Sequence, residues 1–138
     1  MTDQAVTFQP ADVLKEANDF IKDHKKRTGE TLAVDALLVS SLKQWNSTIH
    51  TTQLGIQEIR FLNKATNVAL ADLKAQRIAA DRNGGGVTTS KLTRKINAGR
   101  RIVNQARVDL TGAREGLVQF KASRDAILAA LRSYYASL

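Results

Sequence analysis

At 138 residues and 43% hydrophobic content, the chain is sized for one domain with its own core. Four Phe, two Tyr, one Trp and one Pro, set against many Ala, Leu, Lys, Arg and Gln, favour an all-α fold over sheet. The absence of cysteine excludes disulfides and thiolate metal sites, and a formal net charge of +8 directs attention to anionic partners.

Met1-Thr2-Asp3-Gln4 has neither the basic start nor the apolar core of a cleavable signal. No apolar run approaches the roughly 18 residues of a membrane span. The expectation is a soluble chain, cytoplasmic at synthesis, with signal-independent export or incorporation in a particle leaving the same record.

The stretch from Phe8 to Arg27 reads as a short first helix, with its body over residues 10–27. Pro10 suits a first helical position, where its missing N–H would be unpaired anyway, and Thr28-Gly29 supplies a stop. Val13, Leu14, Ala17, Phe20 and Ile21 give one apolar face. Lys25-Lys26-Arg27 falls in the last turn, where cations meet the negative end of the helix dipole, and Glu16, Asp19 and Asp23 form a solvated side.

A second helix is predicted over residues 33–83, about 50 residues or roughly 75 Å at 1.5 Å per residue. Leu38, Leu42, Trp45, Ile49, Ile56, Ile59, Leu70, Leu73 and Ala80 recur at intervals of four and three, which returns them to one side of the helix. Its weakest stretch is Ser47-Thr48-Ile49-His50-Thr51-Thr52-Gln53-Leu54-Gly55, rich in β-branched residues and ending in glycine. A break near Gly55 would give a compact four-helix bundle; continuous phase from Ile49 to Ile56 favours one unbroken helix.

Gly84-Gly85-Gly86 marks a turn over residues 84–87, and Thr88, Thr89 or Ser90 can cap a third helix over residues 89–138. Ile96, Gly99, Val103, Ala106, Leu110, Ala113, Leu117, Phe120, Ile127, Leu131, Tyr134 and Leu138 continue the heptad spacing. The architecture predicted is therefore a long antiparallel, coiled-coil-like helical hairpin with the short first helix packed alongside, all in one helical domain. Folding back at Gly85 brings residue i near residue 170 − i. Gly55 then meets Glu115 and Gly116, where a bend or a close backbone approach is expected, and Asn63 and Thr66 form a polar layer near Asn104 and Arg107 that sets alignment.

Burial supplies the main functional expectation. A first helix of about 18 residues spans only some 27 Å and leaves much of the hairpin without a third helix. Beside the seam, Leu54, Phe61, Ala65 and Val68 form a second apolar strip, with Ile102 and Val118 off the seam on the last helix. Apolar residues beyond the needs of a two-helix seam mark contact with another helix. The run from Ala126 to Leu138 is apolar on most faces, and the expected partner interface accordingly comprises Leu54, Phe61, Ala65, Val68, Phe120, Ile127, Leu131, Tyr134, Tyr135 and Leu138.

Charge is the second clue. Residues 1–88 hold 11 Lys/Arg against 10 Asp/Glu, whereas 89–138 hold 10 against 3. No carboxylate occurs between Asp81 and Asp109, an interval that contains Lys91, Arg94, Lys95, Arg100, Arg101 and Arg107. These six are the candidate polyanion-binding residues. Arg100, Arg107, Arg114 and Lys121 recur every seven residues beside the seam, a position where charges also pair with a neighbouring helix in an assembly. No aromatic residue lies between Phe61 and Phe120, so nucleic-acid contact here would be to phosphates, without base stacking.

Catalysis finds no support in the residues. His24 and His50 lie on different predicted helices without a metal-ligand spacing, and the glycine triplet lacks the Gly-Lys-Ser/Thr and preceding strand of a phosphate-binding loop. No metal or cofactor is expected. The leading expectation is a noncatalytic structural or assembly protein, of the type found in virions, appendages or secretion machines. A sequence-nonspecific nucleic-acid-binding module is the alternative, and a membrane-active helical protein the third.

Overall fold

A computed structural model describes residues 9–138, so Met1-Thr2-Asp3-Gln4 and Phe8, the first residue read into the opening helix, lie outside the described residues. The described chain is all-α: α1 spans Pro10–Thr28, α2 spans Val34–Arg82 and α3 spans Val87–Ala136. Helix α2 runs unbroken through Gly55, so the four-helix alternative is excluded. Its β-branched stretch stays helical with Thr48 donating its hydroxyl to the Gln44 carbonyl at 3.0 Å and Thr52 to that of Thr48 at 2.8 Å. Hydroxyl bonds of this kind to the carbonyl one turn back satisfy the side chains without breaking the helix, at a slight cost in helix stability.

Packing divides the chain into two compact units, one made of the described residues up to Gln53 together with Glu115–Leu138, the other of Leu54–Arg114. In the first unit, Ala17 of α1, Leu38 of α2, and Ile127 and Ala130 of α3 form a buried cluster, with Val13, Leu14, Leu42, Trp45 and Leu131 packed against it. The rings of Trp45 and Phe120 lie 5.6 Å apart, and the Tyr135 hydroxyl donates a long hydrogen bond of 3.4 Å to Asp35. Pro10 occupies the first helical position of α1, and Gly29, at φ 76°, ends the helix by donating its N–H to the Lys25 carbonyl. This is a left-handed cap that glycine adopts without a Cβ penalty.

The second unit is a two-helix antiparallel hairpin. Leu70, Ile96 and Val103 form its buried cluster with Leu73 against them, and Ile56 and Leu92 are buried as well. Gly84, Gly85 and Gly86 all have positive φ. Gly85 donates its N–H to the Ala80 carbonyl at 2.8 Å and Gly84 to that of Asp81 at 3.3 Å, the paired bonds of a Schellman termination. The Gly86 carbonyl accepts from the Ser90 N–H, so α3 begins at Val87, ahead of the expected caps Thr88, Thr89 and Ser90. Those three residues lie inside the helix, and Leu92 joins the seam one turn earlier than the heptad pattern suggested.

The close approach predicted at Gly55 and Gly116 occurs at Gly99 instead. A Cβ built on Gly99 would stand 2.6 Å from Leu70 Cδ2, whereas one on Gly55 would meet nothing within 4 Å and one on Gly116 only the Phe120 ring. Gly99 sits on the seam, so its missing side chain is the space into which Leu70 packs. The polar layer is likewise narrower than predicted. Thr66 donates its hydroxyl to its own helix at Leu62, and the Asn63 Oδ1 is buried without a hydrogen-bond partner, Asn104 and Arg107 being exposed.

Candidate functional interfaces

The apolar strip on α2 is exposed along the hairpin unit. Leu54 is 51% exposed, Phe61 71% and Val68 66%. Each stands two positions ahead of an inward residue of the seam: Leu54 before Ile56, Phe61 before Asn63, Val68 before Leu70. At 3.6 residues per turn, two positions are about 200° around the axis. The strip therefore lies on the outer face of α2, opposite the seam and not beside it as the spacing predicts. Ala65 is exposed on the same face, and Leu62 and Ile78 add exposed apolar surface to the same helix.

The C-terminal residues expected in a partner interface separate into two groups. Ile127 is 7% exposed and buried among Ala17, Leu38 and Ala130, so its own chain already covers it and it is not available to a partner. Leu131 is half-buried against that cluster, Phe120 is half-buried beside Trp45, and Tyr134 is half-buried next to Tyr135, ring centroids 5.7 Å apart. Tyr135 and Leu138 remain exposed. The Tyr135 hydroxyl is held above the ordinary tyrosine pKa, by desolvation first and by the neighbouring Asp35 carboxylate second. Much of the apolar C-terminal run thus packs within its own chain, against residues of both α1 and α2, contacts that no spacing rule within α3 reveals.

All six candidate polyanion-binding residues, Lys91, Arg94, Lys95, Arg100, Arg101 and Arg107, are exposed. They ring the solvent side of α3. Arg94 and Arg101 stand two positions ahead of Ile96 and Val103 and so face directly outward; Lys91 and Lys95 flank the seam on one side, Arg100 and Arg107 on the other. Among the described residues the ion pairs are His24–Glu30, Asp23–Arg27 and Arg124–Asp125, all in the first unit.

The first unit also carries an open apolar groove of about 440 Å³ between its three helices, lined by Val13, Ala17, Phe20, Leu38, Trp45 and Ile127 with Glu16 and Ser41 among its polar contributors. The sequence reading missed it. Its one signal was Phe20, an aromatic at the edge of the α1 apolar face, which is exposed and stacked on His24 at 6.0 Å. Among the described residues there is no cluster of three or more His, Asp or Glu able to hold a metal ion, and no helix long and apolar enough to cross a membrane.

No protein-family model matches the chain, nor does any curated protein or any solved structure.

Proposed function

We propose that the chain is a noncatalytic structural protein that self-associates, or docks into a larger assembly of the virion, appendage or secretion-machine type, through the outer face of α2. The observation that carries this reading is the exposure of Leu54, Phe61 and Val68 along one line of a unit that has only two helices. Residues seven apart present a continuous stripe, the pattern that a further helix covers by knobs-into-holes packing. Apolar stripes of this kind on a soluble surface mark contact with other proteins. Exposed Ala65 between Phe61 and Val68 leaves room for an incoming side chain.

The test is the absolute mass of the full chain by light scattering on a sizing column, with Phe61→Glu/Val68→Glu as the variant. The wild type runs as a discrete oligomer or polymer, and the double variant as a monomer with unchanged helical circular dichroism. An oligomer that survives both substitutions overturns the reading, and a wild-type monomer across micromolar to millimolar concentration overturns self-association and leaves only docking onto a different protein.

A further inference from the structure

We infer that the hairpin unit binds the sugar–phosphate backbone of nucleic acid without reading its sequence, through the basic circumference of α3 between Lys91 and Arg114. The inference is independent of the apolar strip and of the assembly proposed from it.

It rests first on where the charge lies. The unit Leu54–Arg114 holds 12 Lys/Arg against 4 Asp/Glu, a net +8, while the remainder of the chain holds 9 against 9, a net of zero. The whole formal charge of the protein is thus concentrated in one unit. A field of this kind raises the local concentration of polyanions and speeds their encounter.

The second observation is that nothing in the unit neutralises it. Three of its four carboxylates are engaged by neutral donors of their own chain: Asp72 accepts from Gln76 at 2.8 Å, Asp81 from Thr89 at 3.0 Å, and Asp109 from Gln105 at 2.9 Å. Among the described residues, no ion pair involves Lys91, Arg94, Lys95, Arg100, Arg101, Arg107 or Arg114. A surface meant to be tied down by intramolecular salt bridges would place acids one turn away, and the interval between Asp81 and Asp109 has none.

The arrangement then selects the ligand. Arg100, Arg107 and Arg114 repeat every seven residues, about 10 Å along the helix axis, and the other cations cover the outer face and opposite flank. A long, unwalled, repeating row of guanidinium and ammonium groups suits a polymer with a charge at every repeat. It offers no enclosed pocket for a compact anion. The absence of any aromatic residue between Phe61 and Phe120 removes base stacking, which leaves contact to phosphates and therefore a duplex or a single strand of any sequence.

The experiment is fluorescence anisotropy of a labelled 24-base-pair duplex of arbitrary sequence titrated with the full chain from 50 to 200 mM salt. Engagement of six phosphates predicts a slope of log Kobs against log salt of about −5, and an unrelated duplex of equal length gives the same affinity. Arg100→Gln/Arg101→Gln reduces the slope by about 2, and weakens binding most at low salt. Lys22→Gln/Lys43→Gln, which removes equal charge from the other unit, leaves slope and affinity unchanged. Helical circular dichroism of each variant separates lost binding from lost folding, and Lys91→Gln/Arg94→Gln serves as an independent second pair. No binding at 50 mM salt overturns the inference, as does equal loss in the Lys22→Gln/Lys43→Gln control. Binding to phosphatidylserine vesicles with none to the duplex overturns it in favour of a lipid surface.

Discussion

Replacing Gly99 by alanine is the sharpest probe of the hairpin seam, because helix propensity and packing push in opposite directions there. In an exposed helix interior, Gly→Ala stabilises by about 0.5–1 kcal/mol, since glycine loses more backbone freedom on folding. Gly112, in the same unit and on the same helix, would show that gain undiluted, because a Cβ there meets nothing within 4 Å. At Gly99 the new Cβ falls 2.6 Å from Leu70 Cδ2 and 3.1 Å from Leu70 Cγ, well inside the roughly 3.5–4.0 Å separation at which carbon atoms attract. Leu70 is buried with Ile96 and Val103, so relieving the clash means moving the end of its side chain within that packed cluster. Overpacking of this kind costs about 1–3 kcal/mol, so the net outcome at Gly99 lies between about zero and a loss of about 2.5 kcal/mol. Urea unfolding followed by circular dichroism would measure both variants, with Gly99→Ala about 1–3 kcal/mol less stable than Gly112→Ala. In a Leu70→Ala background the clash is gone, and Gly99→Ala should recover the ordinary alanine gain, a coupling that a double-mutant cycle reads directly. Equal stabilisation by Gly99→Ala and Gly112→Ala would show that the two helices do not meet at this point and would refute the seam register.

Ile96→Ala should cost about 2–5 kcal/mol in the same unfolding assay, because Ile96 is fully buried, whereas Phe61→Ala should leave monomer stability nearly unchanged. Gly84→Ala forces a Cβ into the left-handed region at φ 95° and should lower stability by about 1–2 kcal/mol, read as a fall in Tm. Tyr135 should ionise above the ordinary tyrosine range near pH 10.0, followed by phenolate absorbance, and Asp35→Asn should bring its pKa down. The folded state binds that proton more tightly than the unfolded state, so the contribution is present below the ordinary value and fades as pH rises through the folded one.

The seam was legible because burial on a helix repeats at fixed intervals: Leu38, Ile49, Ile56, Leu70, Ile96 and Val103 all occupy the heptad phase read from the sequence, and all are buried. The turn was legible for a related reason, since three consecutive glycines tolerate the positive φ that closes a helix and reverses the chain. Where spacing alone decided, the phase was still easy to misjudge. Leu54, Phe61 and Val68 share one face through their spacing of seven, but their offset of two residues from Ile56, Asn63 and Leu70 puts that face across the helix from the seam.

Other features depended on tertiary contact and had no local signal. Ile127 resembles Leu131 and Leu138 in the heptad pattern, yet the cluster built from α1, α2 and α3 buries the first and leaves the last exposed. The start of α3 was displaced because Thr88-Thr89-Ser90 resemble caps, while the first helical hydrogen bond already runs from the Ser90 N–H to the Gly86 carbonyl. Charge showed the same limit. A cut at residue 88 leaves a basic C-terminal part, but the complete separation into a neutral unit and a +8 unit emerges only when the helices are cut at Gln53 and Arg114, a boundary set by packing.

That boundary also bears on the order of events during folding. The first unit is assembled from two stretches of chain separated by an excursion of 61 residues, Leu54 to Arg114. Closing a flexible loop of that length costs on the order of 3–4 kcal/mol of chain entropy before any contact repays it. The hairpin has no such burden, since its contacts begin eight residues apart, at Asp81 and Thr89, and can zip outward from the glycine turn. Once zipped, it brings Leu54 and Arg114 to the same end of two adjacent helices, and the long closure has already been made. Completion of the α1-containing unit after the hairpin is the order this predicts, so a defect at Gly84 or Gly85 should slow burial of Trp45 as well, a lag that stopped-flow fluorescence would measure.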